Sequence, residues 1–126
     1  MALTSRMFAG NERLQACSRE HNSHITRKDS GSHVALVQNA LILLDAAVID
    51  AGELDRAEYG PSTASAVLKY KQKHAIINFT YQTTADDIVG IMTIRDLDAR
   101  MLVVEAPFSL LGGGGLIPGL LFAPKL

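Results

Sequence analysis

The residues best suited to metal binding or nucleophilic chemistry lie within the first 33 positions. Cys17, His21 and His24 have the spacing Cys-x3-His-x2-His, which resembles half of a zinc site. No second ligand pair follows at a useful spacing, so a complete site would require His33 to fold back. We therefore interpret the histidines as polar residues on a solvated arm and Cys17 as a small buried or half-buried hydrophobic residue. The sequence predicts no metal and no cofactor.

The acidic residues do not form an evident catalytic pair. Asp86 and Asp87 are adjacent and precede a predicted helix, whose positive amino end favours negative charge. His74 follows "KYKQK" at a predicted helix end, where a cation suits the negative pole. Four further carboxylates are scattered around a predicted loop: Asp45, Asp50, Glu53 and Asp55. The run "LGGGGL" lacks the Lys and Thr of a phosphate-binding loop, so we predict that the chain is not an enzyme.

Composition limits the size of the core and the class of partner. The chain has 126 residues, with 12 Lys and Arg against 13 Asp and Glu, which leaves room for one domain and a tail. No dense basic stripe is present, so nucleic acid is not an expected partner. The opening residues turn polar within a dozen positions, unlike a signal peptide. We expect a protein that is cytoplasmic as synthesised and reaches an envelope or particle only by a non-classical route.

One long stretch has the periodicity of an amphipathic helix. In "VALVQNALILLDAA" apolar residues recur every three and four positions, as on a helix that faces a core. The side chains expected to face inward are Val34, Val37, Leu41, Leu44 and Val48. Ser30 and Ser32 are candidate N-cap residues for this helix. Residues 1–30 are predicted to form an arm with one short helical turn around "NERLQACS".

Two connecting segments lack helical periodicity. "VIDAGELDRAEYG" contains a glycine and several acidic residues, which predicts a loop that could pair as a short extended stretch. "AIINFTYQTTADDIV" is rich in β-branched and aromatic residues, which predicts a long loop with some extended character. Neither segment is predicted to be helical.

The pattern Gly-x-x-Thr occurs twice, as Gly60 to Thr63 and as Gly90 to Thr93, and each copy is predicted to start a helix. Pro61 suits a first helical turn because it lacks an N–H that the helix would not use, and Gly60 permits a sharp entry. Thr63 falls in that turn, where its hydroxyl can satisfy backbone groups. The second of these helices is expected to turn three side chains inward: Ile94, Leu97 and Met101.

After Glu105 the composition changes to the apolar, glycine-rich and proline-rich stretch "APFSLLGGGGLIPGLLFAPKL". The glycines and prolines argue against a membrane-spanning helix, and we predict an irregular tail over residues 106–126. Three interpretations remain open for this tail: it folds back on its own core, docks on another subunit or protein, or contacts a membrane. Partner docking would use Leu110, Leu111, Leu116, Ile117, Leu120, Leu121 and Phe122.

Three blocks in order, "GSHVALVQNALILL", "AEYGPSTASAVLKYKQKH" and "ADDIVGIMTIRDLD", resemble the three-helix peptidoglycan-binding-like domain that is attached to many bacterial wall hydrolases. The resemblance covers about residues 31–101. The matching residues are Gly31, Val34, Val37, Gln38 and Leu41, then Tyr59, Gly60, Pro61, Thr63, Ala66, Val67 and Tyr70, then Asp86, Val89, Gly90, Thr93 and Leu97. The chain departs from the family at Lys71, where Gln is usual, at Asp87, where glycine is usual, and at Ile91, where proline is common.

The resemblance implies an all-α fold: a small three-helix bundle over residues 31–105, between the arm and the tail. It also implies a non-catalytic module that binds peptidoglycan or a muropeptide, with Tyr59 and Tyr70 as core aromatic residues. The candidate ligand residues on loops and helix ends are Asn39, Lys71, Asn78, Tyr81 and Gln82. The alternatives are a structural adaptor of a secretion, contractile-tail or phage-like particle, which docks through the tail, and a regulatory fragment of a wall hydrolase.

Overall fold

The computed structural model describes residues 2–78 and 84–112, with side chains as far as residue 106. The helices in this part of the chain are α1 (Glu12–Cys17), α2 (Ser32–Asp45), α3 (Ala51–Arg56), α4 (Pro61–Lys73) and α5 (Ile91–Gly112), with a 3-10 turn at His21–Ser23. No strand occurs among the described residues, whose extended pairings are the isolated bridges Ile25 with Val89 and Ser30 with Glu58. The prediction of an all-α protein is confirmed.

The core forms where α2 packs against α4 and α5. The sequence predicts helices at these three positions, and their buried apolar side chains belong to one core cluster. The following predicted core side chains are buried: Val34, Val37, Leu41, Val67, Tyr70, Ile94, Leu97 and Met101. Tyr59 and Tyr70 retain 1% and 0% of their exposure, which confirms both as core aromatic residues.

The inward position predicted for Val48 is wrong. α2 ends at Asp45, and Ala46 adopts a left-handed conformation with φ of 52° and donates its N–H to the carbonyl of Ile42. This cap, in which the N–H of Ala47 is the donor to the Leu41 carbonyl, breaks the helical period before the chain reaches Val48, which is 92% exposed. Ile49, one position later, enters the core instead.

Two further local predictions are wrong: the loop predicted after α2 and the serine N-cap predicted for α2. The segment predicted to be a loop after α2 contains α3, which Asp50 caps by accepting hydrogen bonds from the N–H groups of Gly52 and Glu53. Neither Ser30 nor Ser32 is the N-cap of α2, because Gly31 occupies that position with φ of +126°. This conformation suits only glycine, so the backbone geometry, not a side-chain hydroxyl, determines where α2 begins.

The amino-terminal arm is part of the same core. The predicted helical turn near "NERLQACS" is α1, and its N-cap Asn11 accepts from the N–H of Leu14. The arm buries Leu3, Phe8, Leu14, Cys17 and Ile25 with the helices. Two carboxylates of α5 hold the beginning of the arm in place. Asp98 accepts from the N–H groups of Thr4 and Ser5, and Glu105 accepts from those of Arg6 and Met7.

Both Gly-x-x-Thr segments start a helix, as predicted, and the start of α4 is filled by the Glu53 side chain from α3. Glu53 Oε1 accepts from the N–H of Gly60 at 3.2 Å and from the N–H and hydroxyl of Thr63 at 2.9 and 2.8 Å. Its Oε2 accepts from the N–H of Ser62 at 3.0 Å. Gln38 Nε2 donates to the Thr63 hydroxyl oxygen at 3.0 Å. Thr63 therefore joins α2, α3 and α4.

Helix α5 is longer than the sequence predicts. Its backbone continues to Gly112, so residues 106–112, predicted to be irregular, are helical, and the rest of the predicted tail lies outside the described residues. Beyond Met101 it exposes Leu102, Val103 and Val104, at 38%, 71% and 44%. None of the helices in the described part of the chain is both long and apolar enough to cross a membrane.

Candidate functional site

A groove of about 280 Å³ lies where the arm, the end of α4 and the start of α5 meet. We call it the α5 groove. Its lining residues are His21, His24, Lys71, Ile76, Asn78, Asp86, Ile88, Gly90, Ile91, Met92 and Thr93. The walls therefore combine aliphatic surface with two imidazoles, an amide, an ion pair and the first turn of a long helix.

Lys71 crosses the floor of the α5 groove. Its side chain is 7% exposed, and its ammonium forms a salt bridge with Asp86 and donates to the backbone carbonyl of Ile88 at 2.7 Å. A buried ammonium needs such partners because removal from water penalises its charge. Lys71 thus ties α4 to the loop that leads into α5, and the charge it brings to the groove is shared with a carboxylate.

Asp86 and Asp87 precede α5, as predicted, and each carboxylate also forms an ion pair with another part of the chain. Asp86 accepts from Lys71 and from the N–H of Ile88, whereas the carboxylate of Asp87 pairs with Arg27 of the arm at 3.0 Å. The hydroxyl of Tyr59 donates to the backbone carbonyl of Asp87. Their negative charge is used in tertiary ion pairs, because the segment turns between them and the first helical residue, Ile91.

The residues of the Cys-x3-His-x2-His pattern point in different directions. Cys17 is fully buried, its thiol lies 3.5 Å from the carbonyl of Val89, and burial raises its pKa to about 11 although Arg13 opposes the shift. His21 and His24 are exposed on the rim of the α5 groove. Among the described residues no three His, Cys, Asp or Glu side chains are grouped as metal ligands.

His74 occupies the end of α4, where the sequence places it. It is the C-cap residue, and its Nε2 lies 3.4 Å from the Asp45 carboxylate, which also accepts from Lys73 at 3.2 Å. Its ring is tilted against that of Tyr70, with 4.4 Å between the centroids. These contacts tie α4 to the end of α2 and explain the position of His74 without a role in chemistry.

The structure divides the five predicted ligand residues. Lys71 and Asn78 line the α5 groove, whereas Asn39 is exposed on α2 and is not part of its lining. Tyr81 and Gln82 lie outside the described residues. Among the seven predicted docking residues, Leu110 and Leu111 lie within the last turns of α5, and the other five, Leu116, Ile117, Leu120, Leu121 and Phe122, fall in the part of the chain that is not described.

A second depression, of about 380 Å³, lies between the end of α2 and one face of α4. Its lining includes Asp45, Val48, Lys69 and Lys73, and Asp45 already pairs with Lys73. None of the predicted ligand residues lines it. The α5 groove is therefore the stronger candidate site.

Sequence reasoning missed most of the α5 groove. The sequence predicts that His21 and His24 lie on a solvated arm, and it gives no indication that Ile76, Ile88 and Met92 line a groove. The arm reaches α5 because Ile25 pairs with Val89 through two backbone hydrogen bonds of 2.8 and 2.9 Å. An extended pair of this kind, 64 positions apart, leaves no local pattern that could have indicated it.

Comparisons of the chain with protein-family models, with curated proteins and with solved structures find no match.

Proposed function

We propose that this protein is a non-catalytic binding module for bacterial cell wall, and that the α5 groove holds a peptide portion of peptidoglycan. The observation that carries the proposal is the composition of the groove, which contains Lys71 and Asn78, two of the five residues predicted to contact such a ligand. The resemblance of the three helix-forming blocks to the peptidoglycan-binding-like family supports the same assignment.

The chemistry of the groove favours the peptide over the sugar. Its aliphatic side chains, Ile76, Ile88, Ile91 and Met92, suit small apolar side chains, and its polar groups suit amides and carboxylates. No Phe, Tyr or Trp lines it within the described part of the chain, although the flat faces of these side chains are the usual platform for sugar rings. A short peptide with a charged end therefore fits this surface better than a glycan strand.

A non-catalytic role agrees with the state of the reactive side chains. Cys17 is the single thiol of the chain, and burial raises its pKa to about 11, so it is not a thiolate at neutral pH. Lys71 and Asp86 are bound to each other, and His74 is held at the end of α4. These contacts support a groove that holds a ligand over one that activates a nucleophile.

Co-sedimentation with isolated sacculi tests the proposal. The full chain should pellet with sacculi and stay in the supernatant without them, and it should release no soluble fragments from the wall. A known wall-binding protein serves as the positive control. Retention of the whole chain in the supernatant, while the control pellets, would refute wall binding, and release of wall fragments would refute the non-catalytic assignment.

A structural adaptor is the second candidate function, and exposed apolar residues on α5 favour it. Leu102, Val103 and Val104 are consecutive and therefore point to different sides of the helix, so no single face of the domain can cover all three. In this alternative, the end of α5 and the tail dock on a larger assembly. The surface of α5 would then be an interface and not a free face.

Particle size distinguishes the adaptor from an independent module. If α5 mediates assembly, Val103→Asp should convert large complexes of the full chain to monomers, and deletion of residues 106–126 should do the same. Val48→Asp is the matched control, because Val48 is even more exposed but lies after α2. Light scattering that finds the same mass for the parent chain and for Val103→Asp would remove the adaptor hypothesis.

A further inference from the structure

The repeated Gly-x-x-Thr start offers an internal template for a ligand contact. At α4 the template is occupied, because the Glu53 carboxylate accepts from the N–H groups of Gly60, Ser62 and Thr63 and from the Thr63 hydroxyl. Helix starts attract carboxylates because their first N–H groups have no partner within the helix and their dipole is positive there. The chain thus shows how its own Gly-x-x-Thr geometry holds an anion.

Gly60 is small in order to admit that carboxylate. Its φ of −99° is open to any residue, so conformation does not require glycine. A Cβ at this position would lie 2.6 Å from Cδ of Glu53 and 2.9 Å from its Oε2. The carboxylate therefore occupies the volume that a side chain at position 60 would fill.

The second copy, at α5, has the same glycine and threonine but no internal carboxylate among the described residues. Among the described residues, no side chain accepts from the N–H groups of Gly90, Met92 or Thr93, and a Cβ at Gly90 would have no heavy atom within 4 Å. Asp86 and Asp87, the nearest acidic residues along the chain, pair with Lys71 and Arg27. At the start of α5, the position equivalent to the one that the Glu53 carboxylate occupies at α4 is open to the α5 groove.

Thr93 provides a second indication, independent of the helix terminus. It stands where Thr63 stands in α4, is 2% exposed and lines the α5 groove. The Thr63 hydroxyl donates to Glu53, whereas the Thr93 hydroxyl has no hydrogen-bond partner among the described residues. Among the described residues, Gln38 Oε1 is the buried side-chain atom without a hydrogen-bond partner, so the Thr93 hydroxyl keeps contact with water in the α5 groove, and a ligand acceptor there would replace that water.

From these four observations we infer that the start of α5 is a carboxylate site: the ligand's carboxylate takes at Gly90 and Thr93 the place that Glu53 takes at Gly60 and Thr63. The inference rests on the proposed function and specifies the ligand as a wall peptide with a free carboxyl end. The N–H groups of Met92 and Thr93 and the Thr93 hydroxyl donate to the carboxylate oxygens. His21 and His24 border the same groove and contact the rest of the peptide.

The site explains why glycine stands at position 90. Its φ is not in the left-handed region, and its surroundings would accept a methyl group in the absence of a ligand. Alanine at position 90 is therefore compatible with the fold. Its methyl group would collide with a ligand carboxylate bound at α5 in the way that the Glu53 carboxylate is bound at α4. Gly90→Ala consequently separates ligand binding from folding.

The test compares an acid with its amide on the full chain. N-acetyl-D-alanyl-D-alanine and its carboxy-terminal amide are titrated against the protein, and backbone amide shifts are followed by NMR. We expect the acid to bind and the amide to bind at least about tenfold more weakly, as for loss of hydrogen bonds to a charged group. The amide signals of Met92 and Thr93 should shift most.

Variants at the site and one matched control complete the design. Gly90→Ala and Thr93→Val should each weaken binding of the acid by about tenfold or more. Thr93→Ser, which keeps the hydroxyl, should retain binding. Gly10→Ala is the control, because a Cβ there also meets no atom within 4 Å but Gly10 lies outside the groove. Circular dichroism confirms that each variant is folded.

The outcomes separate this inference from the proposed function. Equal affinity for acid and amide, or full binding by folded Gly90→Ala and Thr93→Val, would overturn the carboxylate site. Sedimentation with sacculi in the absence of peptide binding would overturn the site and leave wall binding intact. Binding of the acid in the absence of sedimentation would uphold the site and overturn wall binding.

Discussion

Replacement of Glu53 by glutamine should remove a large part of the stability of the fold in a way that depends on pH. Glu53 is 6% exposed and accepts four hydrogen bonds at the start of α4. Burial alone would raise its pKa, but the hydrogen bonds from Ser62 and Thr63 outweigh burial and lower the pKa from 4.5 to about 2. The folded state therefore prefers the ionised form.

The size of the effect follows from that shift. One pKa unit corresponds to about 1.4 kcal/mol, so the ionised carboxylate contributes about 3 kcal/mol at neutral pH. Because the folded pKa is depressed, this contribution is complete above pH 4.5 and is lost as the pH falls through about 2. Glu53→Gln should lower the free energy of unfolding by about 3 kcal/mol at pH 7. The difference from the parent chain should shrink by about 1.4 kcal/mol per pH unit between pH 4 and pH 3.

Urea denaturation at pH 7, 5, 4 and 3, followed by circular dichroism, measures this difference. Asp55→Asn is the matched control, because it removes a carboxylate that is exposed on the same helix, α3. The control should change the free energy of unfolding by less than about 0.5 kcal/mol. A Glu53→Gln difference that stays constant from pH 7 to pH 3, or that equals the Asp55→Asn difference, would refute the assignment of Glu53 as an ionised cap of α4.

Three further substitutions test other features of the fold by the same urea assay. Gly31→Ala should lower the free energy of unfolding by about 1 to 3 kcal/mol because φ is +126°, and Gly10→Ala should not lower it. Equal effects of the two substitutions would contradict the claim that the backbone conformation of Gly31 determines where α2 begins. Lys71→Met should cost about 1 to 3 kcal/mol because it leaves the Ile88 carbonyl and Asp86 without their ammonium partner, and a neutral result would argue against that buried pair. Val48→Ser should change the free energy of unfolding by less than about 0.5 kcal/mol, since Val48 is 92% exposed. A decrease of more than about 1 kcal/mol would contradict the exposed position of Val48.

The three main helices could be predicted because their information is local. Apolar residues at spacings of three and four define the faces of α2 and α5, and Pro61 marks the first turn of α4. Periodicity fails where a backbone conformation interrupts it. Ala46 in a left-handed conformation ends α2, and no residue type at that position indicates the stop as a glycine would have done.

The contacts that build the α5 groove could not be predicted, because they join distant parts of the chain. Asp87 gives no sequence signal that it will pair with Arg27 and not with the helix that follows it. Lys71 similarly pairs with a carboxylate 15 positions away, and the sequence between them has no helical periodicity that would indicate the contact. The local charge argument predicts that Asp86 and Asp87 precede a helix, as they do, but it gives no indication of their ion pairs, which form because cations from two other elements lie within reach.

The most direct test of the central claim, that the α5 groove binds cell wall, is co-sedimentation of three forms of the full chain with isolated sacculi. Met92→Glu places a carboxylate on a half-exposed residue of the groove, and Val48→Glu makes the same kind of change on an exposed residue elsewhere. We predict that the parent chain and Val48→Glu pellet with sacculi and that Met92→Glu remains in the supernatant. A parent chain that does not pellet, or equal pelleting of all three forms, would contradict the account.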